Sequence, residues 1–468
     1  MKSSIKNLNM NAILKFFLLC IALNTLITCE NILEIPDPKG EIIQNQVFEN
    51  ESTAEAAVLS LYAKLRSNSF SSGSINGLSV LMGLYADELD YHSLPGSAMD
   101  DFYRHQILAS NEMVDLLWKD AYNLIYMCNA ALEGIHDSSN ISDDLKLRLE
   151  GEILFIRAMT YFYLINLFGD VPYVVSTDYT INQDLGRAPV SEIYQSIILD
   201  LEIAKNLLPD TYLETERTRA TTYAASALLS RIYLFQSNWQ KAEDESSVVI
   251  EQSSLFFLES DLNNEFKKES HSAILQLKPQ SEGNNTAEAN SFIFFEGPPP
   301  LVALNSSFVD SFENSDLRRQ AWVKEIIGNE TIWYAPYKYK ENGNTGTSVE
   351  YSILFRLSEL YLIRSESRLN LGNYIQANED INTIRLRAGL NSVSLNTHSE
   401  LSDEILKQRK FELFTEHGFR WFDLRRLNLA GDVLSPIKSG WRQTDTLLPL
   451  PENELILNPN LYPQNPGY

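Results

Sequence analysis

Apolar residues recur three and four positions apart along most of the chain. Between residues 112 and 135 they fall at Val114, Leu117, Trp118, Tyr122, Ile125, Tyr126, Ala130 and Leu132, and between 143 and 168 at Leu145, Leu149, Ile153, Ile156, Ala158, Tyr161, Leu164 and Leu167. That period places one apolar stripe on each of two long helices, and the short polar gap between them predicts an antiparallel pair. Gly169-Asp170-Val171-Pro172 closes the second helix, since Pro cannot continue it and Gly suits its cap. A helix is predicted over 52–66 with Ser52 as N-cap and Glu55 completing a capping box. Another, over 191–207, stops before Pro209.

Two later segments read alike. Thr222 to Gln252 holds an Ala-rich helix, a turn at Ser237-Asn238-Trp239 and a second helix near Ala242; Leu357 to Leu386 repeats this with a turn at Gly372-Asn373-Tyr374 and Ala377. A small Ala lets two helices approach closely while the aromatic at the turn fills the space beneath the loop, which is the pattern of tetratricopeptide helix pairs. The predicted fold is therefore mainly all-α, with tetratricopeptide-type hairpins packed against a loop-rich half that holds a few short strands. Two irregular, aromatic-bearing insertions, about 67–111 and 254–350, supply that half. In the second, Gly328-Asn329 predicts a hairpin between Trp322-Ile327 and Thr331-Tyr339, with Trp333, Tyr337 and Tyr339 on one face.

Composition narrows the function. Lys and Arg number 38 against 62 Asp and Glu among 468 residues, a formal net charge of -24, so phosphate backbones are repelled and nucleic acid is not an expected partner. Lys2, Lys6 and Lys15 precede the apolar stretch Phe16 to Leu23, too short to span a bilayer, so residues 1–28 read as a cleaved signal. Leu26-Ile27-Thr28-Cys29 resembles the lipobox of bacterial lipoproteins, with Thr28 where Gly, Ala or Ser is commoner. Cys29 would then carry the lipid and tether the protein to a membrane. Cys20 leaves with the signal, which leaves Cys128 alone on a helical pattern as a buried, inert thiol.

No dinucleotide fingerprint, Walker loop, zinc-protease helix or nucleophile elbow occurs, and the six histidines lack ligand spacing. No cofactor and no metal are expected. Asp87, Glu88, Asp90, Asp100 and Asp101 contain possible carboxylate pairs for glycoside hydrolysis, although among 62 acidic residues such clusters arise cheaply and a hydrogen-bonding role is favoured. Aromatic loops suit a different task, because a ring stacks on the C–H face of a pyranose while neighbouring polar groups take its hydroxyls. Candidate ligand-binding residues are Phe70, Asp90, Tyr91 and His92 in the first insertion and Phe294, Glu296 and Trp333 in the second; none is a candidate catalyst. Arg318 and Arg319 form a possible basic cluster.

Several stretches then match one family across nearly the whole chain after the signal. Trp118-x-x-x-Tyr122-x-x-Ile125-x-x-x-Asn129, Glu152-x-x-x-x-Arg157-Ala158-x-x-Tyr161, Phe168-Gly169-Asp170-Val171-Pro172-Tyr173 and Ala225-x-Ala227-Leu228-Leu229-x-Arg231 come first. Arg356-Leu357-x-Glu359-x-Tyr361, Phe411-Glu412-Leu413-x-x-Glu416 with Arg420-Trp421-Phe422-Asp423, and the ending Leu450-Pro451 to Gln464-Asn465-Pro466-Gly467-Tyr468 follow. The chain resembles the SusD/RagB nutrient-binding outer-membrane lipoproteins of Bacteroidetes. The resemblance implies four tetratricopeptide-type hairpins, a surface-exposed lipoprotein on the outer membrane, a SusC-like TonB-dependent transporter as partner, and an oligosaccharide or peptide ligand bound without catalysis. It divides the chain into 1–28, 29–235 and 236–468, the last two being parts of one integrated fold. These motifs mark framework rather than ligand contacts, and Arg157, Arg231, Glu412 and Asp423 are expected as buried, paired charges. An all-α glycoside hydrolase and a protein-binding tetratricopeptide adaptor are the alternative readings.

Overall fold

Asn50 caps the first helix. Its side-chain oxygen accepts from the Thr53 N–H at 3.0 Å and from the Ser52 hydroxyl at 2.8 Å, so α1 spans Glu51–Ser67 and the expected cap, Ser52, lies already inside it. Glu55 does not complete a capping box, because it accepts from Arg148 and Arg219 and is spent on tertiary ion pairs. The computed structural model describes residues 47–67, 71, 73–328 and 330–468. The signal segment, Cys29 and the spacer after it lie outside the described residues.

The chain continues through α2 (Leu78–Tyr85), β1 (Leu89–Tyr91), α3 (Ala98–Arg104) and the predicted long pair, α4 (Glu112–Asp137) and α5 (Asp143–Phe168). Asn111 caps α4 through the Met113 N–H. Gly169 ends α5 at a φ of 75° with its N–H on the Ile165 carbonyl, a backbone state that disfavours residues with a Cβ. Every residue from Gly151 to Phe168 is buried. Although α5 is long and apolar enough to cross a membrane, its apolar stretch is wholly enclosed by the protein, packed against α1 and α4. Cys128 faces this core, and burial pushes its thiol up to about 12, so it stays protonated and inert.

After α6 (Tyr179–Asn182) and α7 (Val190–Leu207), the first repeat forms α8 (Thr222–Phe235) and α9 (Trp239–Ile250). The loop-rich half follows as β2 (Ala273–Leu277), α10 (Ala287–Phe292), β3 (Val302–Leu304), α11 (Ser306–Asp310), α12 (Leu317–Trp322), β4 (Val323–Gly328), β5 (Thr331–Pro336) and β6 (Ser352–Arg356). The second repeat is α13 (Leu357–Asn370) and α14 (Tyr374–Arg387), succeeded by α15 (His398–Leu413), α16 (Phe419–Arg426), α17 (Ala430–Leu434) and α18 (Glu452–Leu457). Helices stack in series, α4 on α5, α5 on α7, α7 on α8, α8 on α9, α9 on α13 and α13 on α14. Ala242 and Ala377 are fully buried at equivalent places in the two repeats, where a larger side chain would separate the helices. Residues 47–468 form one unit, and α8 and α9 pack together across residues 235 and 236.

Buried charges lock this stack. Arg157 meets Asp200 in a two-pronged pair and also donates to Asn129. Arg231, between the two repeats, grips Glu359 at 2.7 and 2.8 Å and donates to the Tyr163 hydroxyl. Burial alone would raise the Glu412 carboxyl, but Arg387, Arg356 and Arg318 surround it and hold it well below the usual range. Asp423 takes Arg409 and Arg426. Each buried carboxylate is met by at least one guanidinium, the condition under which a buried charge is tolerated, although Arg387 Nε and Arg409 Nη1 have no hydrogen-bond partner among the described residues.

Among the described residues the strands form three antiparallel ladders, β1 with β3, β2 with β6 and β4 with β5. The predicted hairpin is β4–β5, but Trp322 is not in it. Trp322 ends α12, fully buried, with its indole N–H on the Leu262 carbonyl. Tyr337 and Tyr339 also fall beyond β5, which stops at Pro336, so the face expected to carry three rings carries Trp333 with Ala335. Tyr339 is core, its hydroxyl accepting from the Ile353 N–H.

Candidate functional site

The two insertions are stitched together by backbone. In the β1–β3 ladder Leu89 pairs with Leu304, Asp90 with Ala303 and Tyr91 with Val302, and the His92 N–H extends it to the Leu301 carbonyl at 2.8 Å. Phe294, Ala303, Ile326 and Ala335 form a small separate core beneath the hairpin, and Trp333 packs against it. The indole lies on Gly297, where a Cβ would come within 2.4 Å of Trp333 Cδ1. Its N–H is buried there with no hydrogen-bond partner. At the rim of this assembly the half-buried imidazole of His92 meets the half-buried Trp333, ring centroids 4.8 Å apart and planes at 81°. Burial holds His92 below the ordinary histidine value, with Asp90 opposing. At neutral pH the ring is therefore uncharged and offers one donor and one acceptor.

The remaining candidates are placed unequally. Asp90 is half-buried and accepts from Asn305 at 3.0 Å and from the Tyr103 hydroxyl at 3.2 Å, so its carboxylate already serves the fold. Tyr91 is half-buried with its hydroxyl 2.6 Å from Ser97 Oγ. Phe294 is only 5% exposed and shows no ring face to solvent. Its neighbour Phe295, passed over in the sequence reading, is 64% exposed with the Lys324 ammonium 5.0 Å above its ring. Extended backbone alternates inward and outward positions, and for two adjacent phenylalanines only the packing of the first under Trp333 tells which is which. Glu296 is exposed beside them. Phe70 lies outside the described residues. The structure thus joins His92 to Trp333 at this rim and packs Phe294 with Trp333, while Phe295 and Glu296 are exposed on the segment that leads to Gly297.

The acidic clusters are committed elsewhere. Burial would raise Asp87, but the two-pronged Arg420 pair lowers it. Burial, with Asp87 beside it, pushes Glu88 up to about 8, where it accepts from the Thr415 N–H. Asp100 takes the Gly96 N–H and Arg104, and Asp101 takes Asn111. The expected basic cluster is not one. Arg318 is fully buried on Asp316, Gln408 and Glu412, and Arg319 pairs with Glu325. Among the described residues no three His, Cys, Asp or Glu side chains converge to hold a metal ion.

Comparison with known proteins agrees with this architecture. A SusD-like family model, described as starch-binding and associating with the outer membrane, matches residues 73–234, and the SusD/RagB family model matches 311–438. SusD-like protein P2 of Formosa agariphila is 28% identical over 96% of this chain and 98% of its own length. A SusD-like protein of Bacteroides ovatus is 22% identical over 94% of this chain and 88% of its own. Among solved structures, a SusD superfamily protein of Bacteroides vulgatus superposes with a TM-score of 0.79 at 22% identity, covering 90% of this chain and 99% of that one. A laminarin-binding SusD-like protein does so with a TM-score of 0.76 at 21% identity, covering 90% and 100%. With both SusD family models matched in order along the chain, over residues 73–234 and 311–438, the protein belongs to the SusD/RagB family.

Proposed function

We propose that the protein captures a neutral oligosaccharide at the cell surface, without chemistry, and passes it to a TonB-dependent outer-membrane transporter. The observation that carries this reading is the rim at which His92 and Trp333 meet, with the exposed Phe295 two residues before the Gly297 on which the indole lies. Rigid rings, an uncharged imidazole and the Glu296 carboxylate suit the apolar face and the hydroxyls of a sugar. Family membership supports the same class, since one matching model is described as starch-binding. The net charge of -24 favours uncharged glycans over acidic ones. Tethering belongs to Cys29 after removal of residues 1–28, and the described body, 47–468, is the part that reaches the ligand. Hydrolysis is the weaker reading because Asp87, Asp100 and Asp101 are held by Arg420, Arg104 and Asn111.

The test is isothermal calorimetry of the purified protein against a panel of neutral glucans, mannans and xylans, uronate-bearing polysaccharides and a peptide mixture, with products analysed in parallel. Saturable binding of a neutral glycan with no new reducing ends is the expected result. Release of product would favour the hydrolase, and binding of peptide alone would move the ligand class.

A further inference from the structure

A broad cleft lies away from this rim. It has a volume of about 960 Å³ and lies between α4, the loop and turn at 172–183, and the C-terminal segment 454–461. It shares no residue with the rim. That volume is in the range of small-ligand pockets.

Its walls are built before any ligand arrives. Trp118 forms a buried floor, tilted on Tyr122 at 4.8 Å and edge-on to Phe168 at 5.2 Å. The Tyr122 hydroxyl donates to the Pro172 carbonyl at 2.8 Å and fixes the second wall. Asp178 caps α6, and Asn182 returns to the Ser176 carbonyl, so the short turn bearing Tyr179 is held. Asn458 and Asn460 donate to the carbonyls of Leu185 and Asp184 and tie the C-terminal segment to that turn. Three segments far apart in sequence are thus knitted into one concavity, which lowers the ordering cost of binding.

What the cleft leaves unused defines its ligand. Tyr126 and Tyr179 project rings that are 51% and 74% exposed, a costly display for a chain with ample core to hide them. Their hydroxyls, and the side-chain amides of Asn123 and Gln183, have no hydrogen-bond partner among the described residues. The cleft's two cations are already neutralised, Lys64 by Asp120 at 2.9 Å and Lys119 by Asp115 at 2.7 Å. Ring faces with unspent hydroxyls and amides, and no free cation, describe a receptor for an uncharged polyol and not for an anion. We infer that this cleft is a second binding site for neutral oligosaccharide, with Tyr126 and Tyr179 as stacking platforms and Asn123 and Gln183 as hydroxyl partners. The ligand class rests on the glycan reading above; the site does not.

Both sites can be separated by calorimetry and affinity electrophoresis in gels containing each neutral polysaccharide of the panel. Three proteins are compared with the wild type: Trp333→Ala, the surface double variant Tyr126→Ala/Tyr179→Ala, and all three substitutions together, each checked by melting temperature. Residual binding in Trp333→Ala that the added tyrosine substitutions abolish, with the double variant alone losing about tenfold in apparent affinity for the polymer, is the expected result. Loss of binding in the double variant with Trp333→Ala unaffected supports the cleft and overturns the rim. Wild-type affinity and stoichiometry in the double variant overturn the cleft and leave the rim standing. A double variant that binds glycan normally but no longer co-purifies with an outer-membrane barrel overturns it too, and makes the cleft a protein contact. If the wild type is retained by no neutral glycan, both assignments of ligand class fall.

Discussion

The imidazole of His92 meets the indole of Trp333 edge-on, 4.8 Å between centroids, although the two residues stand in different insertions. The contact exists because β1 pairs with β3 and the β4–β5 hairpin folds over that ladder on its own small core. If this rim binds sugar, Phe295→Ala should weaken binding by about three- to tenfold, roughly 0.5–1.5 kcal/mol, with an unchanged melting temperature because the ring is exposed. Trp333→Ala should weaken it further and lower the melting temperature as well. Calorimetry beside differential scanning fluorimetry checks both; wild-type affinity in both variants would remove the rim from recognition.

Gly297 is predicted to matter without touching a ligand. A Cβ there would lie 2.4 Å from Trp333 and force the indole off its seat. Gly297→Ala should therefore reduce glycan affinity and quench or shift Trp fluorescence, while a conservative change at exposed Glu296, such as Glu296→Gln, leaves the spectrum unaltered.

Arg231 and Glu359 join the two repeats through a buried pair. Arg231→Ala should destabilise the protein by about 3–5 kcal/mol, because it strands a buried carboxylate. Arg231→Met/Glu359→Leu should recover much of that loss. Urea denaturation of both single variants and the double gives the coupling energy, and a double variant as unstable as the sum of the singles would refute a paired role.

Glu88 supplies a pH dependence of defined sign. Burial, then the neighbouring Asp87, raises its carboxyl to about 8, and burial raises that of Glu288 to about 7, both from 4.5. The native state therefore keeps protons that the unfolded chain has released between about pH 4.5 and pH 8. Stability from these groups is full below 4.5 and declines as pH rises, by at most about 1.4 kcal/mol per unit for each group. Glu88→Gln should flatten the fall in unfolding free energy between pH 5 and pH 8; a variant with the wild-type slope would place Glu88 among ordinary ionised carboxylates.

The proposed lipid anchor is Cys29, the cysteine that ends the apolar leader. Cys29→Ala should release the protein from the outer-membrane fraction of a strain lacking the transporter, with no lipid incorporated on metabolic labelling. Retention in that fraction would refute the lipoprotein assignment.

Much of the architecture could be read from residue order. Helices carry their own signal, since an apolar stripe of period 3.6 is a local property. α4, α5, α7 and both repeats accordingly stand close to where the pattern placed them. Small Ala242 and Ala377 beneath the turns marked the close helix contacts, and the family motifs that hold Arg157 and Glu412 marked the buried pairs now seen. Cap identity was less legible. Asn50 and Ser52 are both good caps, and the choice fell to Asn50 once Glu55 was drawn into pairs with Arg148 and Arg219.

By itself the sequence determined an acidic, mainly helical body with two aromatic insertions, because periodicity, composition and local motifs depend on neighbours a few positions away. Which rings those insertions expose was decided only in three dimensions. Phe294 and Phe295 are adjacent and chemically identical, yet the first fills the core under Trp333 and the second faces solvent. The unspent tyrosines at 126 and 179 gained their shared cleft only when the C-terminal segment docked on the α6 turn through Asn458 and Asn460. Burial and juxtaposition are sums over partners distant in the chain, and no local pattern encodes them.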